Sequence, residues 1–375
     1  MSKLYPQVDP EGLLEYSVVF TDRALNHMSQ VFQGVMRDIS ATLRQAYGAE
    51  AVAVVPGGGT YGMEAVARQF ATGRKCLVIR NGWFSYRWSQ IFEVGSIPSQ
   101  EIVLKARPVA DEPQAPWAPA PVEEVTAAIE RERPALVFAP HVETASGVLL
   151  PDDYVRTVAA AAHAVGGMVV LDAIASGALW VDMGALDVDV LISAPQKGWS
   201  GPPSSALVML GPRAVERVGA TRSTSFAADL GKWLQIMRAY ENGGHAYHAT
   251  FPTDALAALR DSMRATVDDG LALTRDRQWE LGRRVRALFA RRGFRSVAAD
   301  GFAAPGVVVY HTDDPELHNT RRFLAQGLQV AAGVPLMCDE PAGFQTFRIG
   351  LFGLDKLRDV DGTAARLEQA LDQLG

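Results

Sequence analysis

Two residues 25 positions apart frame the chemistry open to this chain. The apolar run MVVLD ends in Asp172, and the run VDVLIS is followed by Ala194-Pro195-Gln196-Lys197-Gly198. A carboxylate at the end of a buried strand can hold a pyridinium nitrogen protonated. A lysine stripped of water can form a Schiff base with an aldehyde. Together they are the equipment of pyridoxal phosphate (PLP) chemistry, although Lys197 alone also reads as an exposed loop lysine. The neighbouring Asp182, Asp187 and Asp189 read as solvated or helix-capping residues.

Four further groups surround this pair in sequence. Pro56-Gly57-Gly58-Gly59-Thr60 follows an apolar run and opens a helical pattern. Glycines there let backbone approach an anion, and a helix N-terminus offers free N–H groups. Asn81-Gly82-Trp83-Phe84-Ser85-Tyr86-Arg87 supplies aromatic faces that could cover a cofactor ring or pack in the core. In Pro140-His141-Val142-Glu143-Thr144, His141 and Glu143 stand at i and i+2. On an extended end those positions face opposite ways, so both read as structural rather than as a metal pair. Phe347-Arg348-Ile349-Gly350 carries a guanidinium, whose planar fork matches a carboxylate as a lysine would not.

The elements that must position these residues are legible as alternating strands and helices. Apolar runs at 51–55, 75–79, 135–139, 168–172, 188–193 and 206–210 read as buried strands. Helical patterns at 63–71, 122–131 and 152–164 lie between several of them. That alternation predicts an α/β fold with a largely parallel sheet, with ligands held at the carboxyl ends of its strands. The segment 106–121 holds five prolines and reads as a surface connection. Residues 252–292 read as long, charged helix with Gly270 and Gly282 as weak points. The runs VVVY and FRIGLF, a helix over 315–328 and another from Lys356 predict a small α+β domain.

Composition narrows the remaining classes. The 375 residues are 48% hydrophobic and 21% charged, as in a globular enzyme, and the net charge of −6 offers no basic field for nucleic acid or anionic membrane. No apolar stretch reaches bilayer-spanning length. The N-terminal residues lack a secretory pattern, and the closing DQLG is no targeting tripeptide, which leaves a cytoplasmic location as the expectation. Cys76 and Cys338 form no metal or redox spacing, and Cys76 reads as inert core.

Taken in order, these motifs resemble the class V aminotransferases of PLP fold type I, most closely the alanine/serine–glyoxylate and aminoethylphosphonate–pyruvate branch. The resemblance implies a large PLP-binding domain over 1–255, built on a mostly parallel seven-stranded sheet between helices. A linking long helix and a smaller C-terminal α+β domain would occupy 256–375. It implies a cofactor phosphate held by Gly58, Gly59, Thr60 and Gln196. Phe84 would stack on the ring, with Trp83 as the competing stacker, and Ile174 would pack on the opposite face. Thr144 would donate to the cofactor's phenolic oxygen, and Asp172 would pair with the ring nitrogen. Lys197 would anchor the aldehyde and move the α-proton, while Arg348 would clamp the substrate carboxylate. The segment 247–252 resembles one that reaches a neighbouring subunit's phosphate site. Thr250 is its candidate contact, which implies a homodimer with shared active sites.

The activity implied is ping-pong transfer of an amino group from a small amino acid, such as alanine or serine, to glyoxylate or pyruvate. A PLP-dependent lyase or desulfurase is the alternative; Cys338 is its candidate nucleophile, in a setting (LMCDEP) without an activating cation. A non-catalytic PLP-binding protein is the third reading. Three places depart from the family pattern: Pro140, Ala145, and the segment 19–27, which replaces an N-P-G-P-like turn. There Asp22 and Arg23 either pair at the surface or select a polar side chain.

Overall fold

The computed structural model describes Asp9 and residues 12–373. Most of the opening residues read for a secretory pattern, and the last two of the chain, lie outside the described residues. Seven strands form the main sheet: β1 Ala51–Pro56, β2 Lys75–Arg80, β3 Gln100–Lys105, β4 Leu136–Pro140, β5 Met168–Asp172, β6 Val190–Ser193 and β7 Ser205–Leu210. Their order is β1-β7-β6-β5-β4-β2-β3. β7 runs antiparallel to both neighbours, and the other pairs are parallel. The expected α/β architecture is therefore present, with one reversed strand.

The central strands are buried from end to end because helices cover both faces, which is why they read as unbroken apolar runs. The edge strand β3, QEIVLK, has no fully buried residue and went unread for that reason. Helices α1 Gln30–Tyr47, α2 Gly59–Phe70, α3 Trp83–Gly95, α4 Val122–Glu132 and α5 Asp152–Ala164 alternate with the strands. Gly62 lets α2 lie close to the sheet, since a Cβ there would come within 2.5 Å of the Ala206 Cβ. The register sets Asp172 opposite both Pro140 and Ile192, so the carboxyl ends of β4, β5 and β6 are level.

Beyond the sheet, α6 Leu230–Glu241 precedes α7 Thr253–Asp269 and α8 Leu271–Arg291. The break between the last two falls at Gly270, whose φ of +91° favours glycine. Gly282 does not interrupt α8; it makes room for Pro305. Leu256, Leu259 and Met263 of α7 pack into the core around the main sheet. Leu281, Val285 and Phe289 of α8 instead face a second core. That core lies against a three-stranded antiparallel sheet, β8 Val307–His311, β9 Ala331–Ala332 and β10 Thr346–Gly350, in the order β8-β10-β9. Phe289 stacks on Tyr310 with ring centroids 4.4 Å apart. The closing helix α9, Val360–Asp372, covers this core with Leu367 and Leu371.

Two expectations need correction. The helix read over 315–328 is two short pieces, Pro315–His318 and Arg321–Ala325, because Thr320 adopts a φ of +70° between them. The proline-rich 106–121 is more than a surface connection. Arg107–Pro108 pairs with Trp117–Ala118, and Ala106, Ala115, Trp117 and Ala120 are buried. No helix among the described residues is long and apolar enough to cross a membrane.

Candidate active site

The carboxyl ends of β1, β2, β4, β5 and β6 meet a wall from the C-terminal sheet around a cavity of about 430 Å³. Gly59, Thr60, Phe84, Thr144, Asp172, Ile174, Gln196, Lys197 and Arg348 all line it. Residues spread over almost 300 positions are thus brought together by the order of the main sheet's strands and by the C-terminal sheet that carries Arg348.

At its floor, α2 begins after Gly58 with no side-chain cap. The free amides of the first turn therefore remain available to an anion. Gly58 is the N-cap and does not itself line the cavity. A side chain at Gly59 would force Ile174 to move, because a Cβ would overlap its Cδ1 and lie 2.9 Å from its Cγ1. Arg87 donates to the Thr60 hydroxyl at 2.9 Å.

Phe84 is set by a buried carboxylate from another strand end. Glu143 accepts from the Phe84 amide at 3.2 Å, the Ser85 amide at 2.8 Å and the Ser85 hydroxyl at 2.7 Å. It also accepts from the Ala145 amide at 2.9 Å. Glu143 is therefore a structural residue, as expected, and caps α3, a role that its sequence context did not specify. Of the two aromatic candidates Phe84 lines the cavity and Trp83 does not; Trp83 packs against Tyr86 at 5.8 Å. The Phe84 ring lies 5.3 Å from the Arg87 guanidinium and 5.5 Å from that of Arg348.

Asp172 is buried and accepts from the Ile174 amide at 3.0 Å. Burial pushes its carboxyl up to about 7, opposed by that hydrogen bond. Lys197 moves the other way: burial, then the nearby Arg348 cation, hold its amine below the ordinary lysine range. Arg348 gives its Nε to the Ala332 carbonyl at 2.8 Å, which leaves its two terminal nitrogens for a ligand. His141 is buried against Ser176, Nδ1 to Oγ 2.7 Å, and burial lowers its imidazole to about 4. It is a neutral structural residue.

Other expected residues lie elsewhere. Thr250 is exposed, 3.3 Å from the Tyr247 hydroxyl, and does not line the cavity of its own chain. Asp22 and Arg23 pair with each other at 3.5 Å on the surface. Cys338 is buried off the cavity, and desolvation raises its thiol to about 12, as it does for Cys76. Asp182 caps a short helix as expected. Asp189 departs from expectation: it is buried, held by His163 at 2.8 Å and the Val169 amide at 2.7 Å. Among the cavity residues to which sequence reasoning gave no role are Arg87 and Phe352. Phe352 had a signal. Arg348, Gly350 and Phe352 follow the period of two that puts one face of an extended chain on one wall.

The residues fit pyridoxal phosphate. A side-chain-free cradle at Gly59 suits a phosphate, and the buried Asp172 carboxyl suits a protonated ring nitrogen. Lys197 supplies a desolvated amine on the same wall. Comparison with known proteins agrees. Residues 13–341 match the family model "Aminotransferase class-V". The chain is 27% identical over 360 residues to a Synechococcus protein named soluble hydrogenase, small subunit, covering 94% of this chain and 88% of that one. It is 29% identical over 362 residues to 2-aminoethylphosphonate–pyruvate transaminase 2 of Paraburkholderia xenovorans, covering 94% and 90%. The crystal structure of a Nostoc alanine–glyoxylate aminotransferase shares the fold, with a TM-score of 0.76 at 22% identity over 94% of this chain and 89% of that one. By that match over most of its length, the chain belongs to the class-V aminotransferase family, whose cofactor is pyridoxal 5'-phosphate.

Proposed function

We propose that this enzyme moves an amino group from a small amino acid of the alanine or serine type to glyoxylate or pyruvate, in two half-reactions at one site. The observation that carries this reading is Lys197 and Arg348 on one cavity wall system with Asp172. When bound, PLP supplies an aldehyde that condenses with amines and a ring that accepts the electron pair left at the substrate α-carbon.

The chain's residues divide the remaining work. The α2 amides with Gly58, Gly59, Thr60 and Gln196 hold the phosphate. Phe84, Ile174 and Thr144 line the cavity; the two apolar side chains would flank the ring and the hydroxyl would donate to it. Asp172 keeps the ring nitrogen protonated, exchanging its costly solitary burial for an ion pair. Lys197 would hold the cofactor's aldehyde and, when free, would take and return the α-proton. A buried amine with a lowered pKa can act as that base near neutral pH. Arg348 grips the donor carboxylate and orients the α-carbon. Thr250, exposed on its own chain, reaches the phosphate site of a second copy in a homodimer. The two buried thiols are compatible with a reducing, cytoplasmic setting.

Single-turnover titration of the PLP-loaded protein tests the proposal. Alanine or serine should bleach the visible absorption band, and glyoxylate or pyruvate should restore it. Release of pyruvate or sulfide without an acceptor would replace this reading with a lyase.

A further inference from the structure

The ring of Phe352 covers the lysine. Nζ of Lys197 lies 5.2 Å from its centroid. Both influences that act on the charge of this amine, burial and the Arg348 cation, oppose an ammonium. Yet a lysine that takes a proton from carbon must become one for part of each turnover. A carboxylate partner would solve that problem badly, because it would hold the lysine protonated and remove the base. An aromatic face stabilises a desolvated cation more gently and leaves the neutral amine accessible.

The slot for this ring is built by glycines. A Cβ on Gly177, Gly306 or Gly350 would lie 3.4, 3.2 or 3.7 Å from the Phe352 ring, so bare backbone faces it on several sides. Gly177 also touches the lysine loop, since a Cβ on Gly198 would overlap the Gly177 carbonyl. The segment is tied down from the other side. The Leu351 amide donates to the Gly306 carbonyl at 2.9 Å, and Gln278 donates to the Leu351 carbonyl at 3.1 Å. Ring and lysine loop are thus held against the same turn.

We propose that Phe352 is a positioning residue for proton transfer: its ring confines the released Lys197 amine and steadies the protonated form beside the substrate α-carbon. In that step the proton leaves the α-carbon for Nζ while the bonding pair stays with the cofactor, and Nζ later returns the proton. The inference rests on Lys197 being the cofactor's lysine.

The test compares Phe352→Leu, which keeps bulk and apolarity, with Phe352→Tyr, which keeps the aromatic face. In single turnovers of the PLP-loaded enzyme, the Leu variant should slow about 5-fold. Its rate should become more sensitive to deuterium at the donor α-carbon, with donor KM little changed. In the cofactor-free chain, the pH profile of Lys197 reductive methylation should move to lower pH by about half a unit. The Tyr variant should restore both. Equal losses in Leu and Tyr, a change in KM alone, or an unmoved methylation profile would overturn the inference. If the Leu variant does not fold, Phe352→Met against Phe352→Tyr makes the same comparison. Borohydride reduction followed by peptide mass spectrometry separates the two readings. A label on another lysine defeats the proposed function. A label on Lys197 with an unaltered Leu variant defeats only the role of Phe352.

Discussion

Glu143 and Ser85 are joined twice, amide to carboxylate at 2.8 Å and hydroxyl to the same oxygen at 2.7 Å. This pair fixes the first turn of α3 and hence the ring of Phe84, the next residue back. Glu143→Ala would leave three backbone amides without their acceptor, two of them buried, while the Ser85 hydroxyl keeps the Gly82 carbonyl. The expected cost is on the order of 3 kcal/mol of stability, since each buried donor left unpaired costs about 1–3 kcal/mol and some will relax. PLP affinity should fall in parallel because Phe84 is no longer held. Urea denaturation and PLP titration measure the two effects. Loss of neither would show that the cap is dispensable.

Asp172 gives a pH signature. Its carboxyl is at about 7 in the fold and near 4 in an unfolded chain. Between those values the native state binds the extra proton, so stability falls as pH rises. The cofactor-free protein should therefore lose on the order of 2–4 kcal/mol from this group between about pH 4 and 7. Asp172→Asn should remove that component, and saturating PLP should remove it from the wild type. Parallel stability–pH curves for wild type and Asp172→Asn would contradict the assignment.

How much of this was legible follows from burial. The strands ending at Pro140 and Asp172 read as strands because both faces are covered and their residues before the ends are apolar throughout, and the candidate site residues lie at their ends. QEIVLK at the sheet edge carries no such signal. The kink at Thr320 lacks a glycine or proline to announce it. Asp172 and Lys197 stood out because a carboxylate ending one buried strand and a lysine just past another are unusual there. Arg348, in the middle of its strand, was named only through the family resemblance. Phe352 shares the period of two with Arg348 and Gly350, but an aromatic residue after a β-strand resembles core until the opposite wall is known. The role of Arg87 depends on Thr60, 27 residues away, and no local pattern encodes that meeting.

Lys197 and Arg348 should be separable by substitution. Lys197→Ala should reduce multiple turnover by on the order of 10³-fold or more, because no other group on the wall is a desolvated amine. Arg348→Gln should instead raise donor KM by on the order of 10²-fold through loss of a charge-assisted carboxylate clamp. Removing that cation should also raise the Lys197 pKa, since Arg348 is the second influence holding it down. Burial, the larger influence, stays in place, so the amine should remain below the free lysine value. The methylation profile of Lys197 should accordingly shift to higher pH in Arg348→Gln. A shift to lower pH would mean that the two side chains do not sense each other.

Gly59 and Ile174 offer the most direct check on the cofactor cradle. A methyl group at 59 collides with the Ile174 side chain, whose Cγ1 would be 2.9 Å away, and the chain end must swing into the cavity. Ile174 lines that cavity, so Gly59→Ala should weaken PLP binding roughly 10-fold while costing about 1–2 kcal/mol of stability, as overpacking does. Ile174→Val removes the overlapping Cδ1 and keeps most of the apolar surface. Neighbours that share space do not add independently. The double variant Gly59→Ala/Ile174→Val should therefore bind PLP more tightly than Gly59→Ala alone, although Ile174→Val alone should bind it slightly less tightly than wild type. Strict additivity of the two losses, measured by PLP titration, would mean that the cofactor does not occupy the space these two residues define.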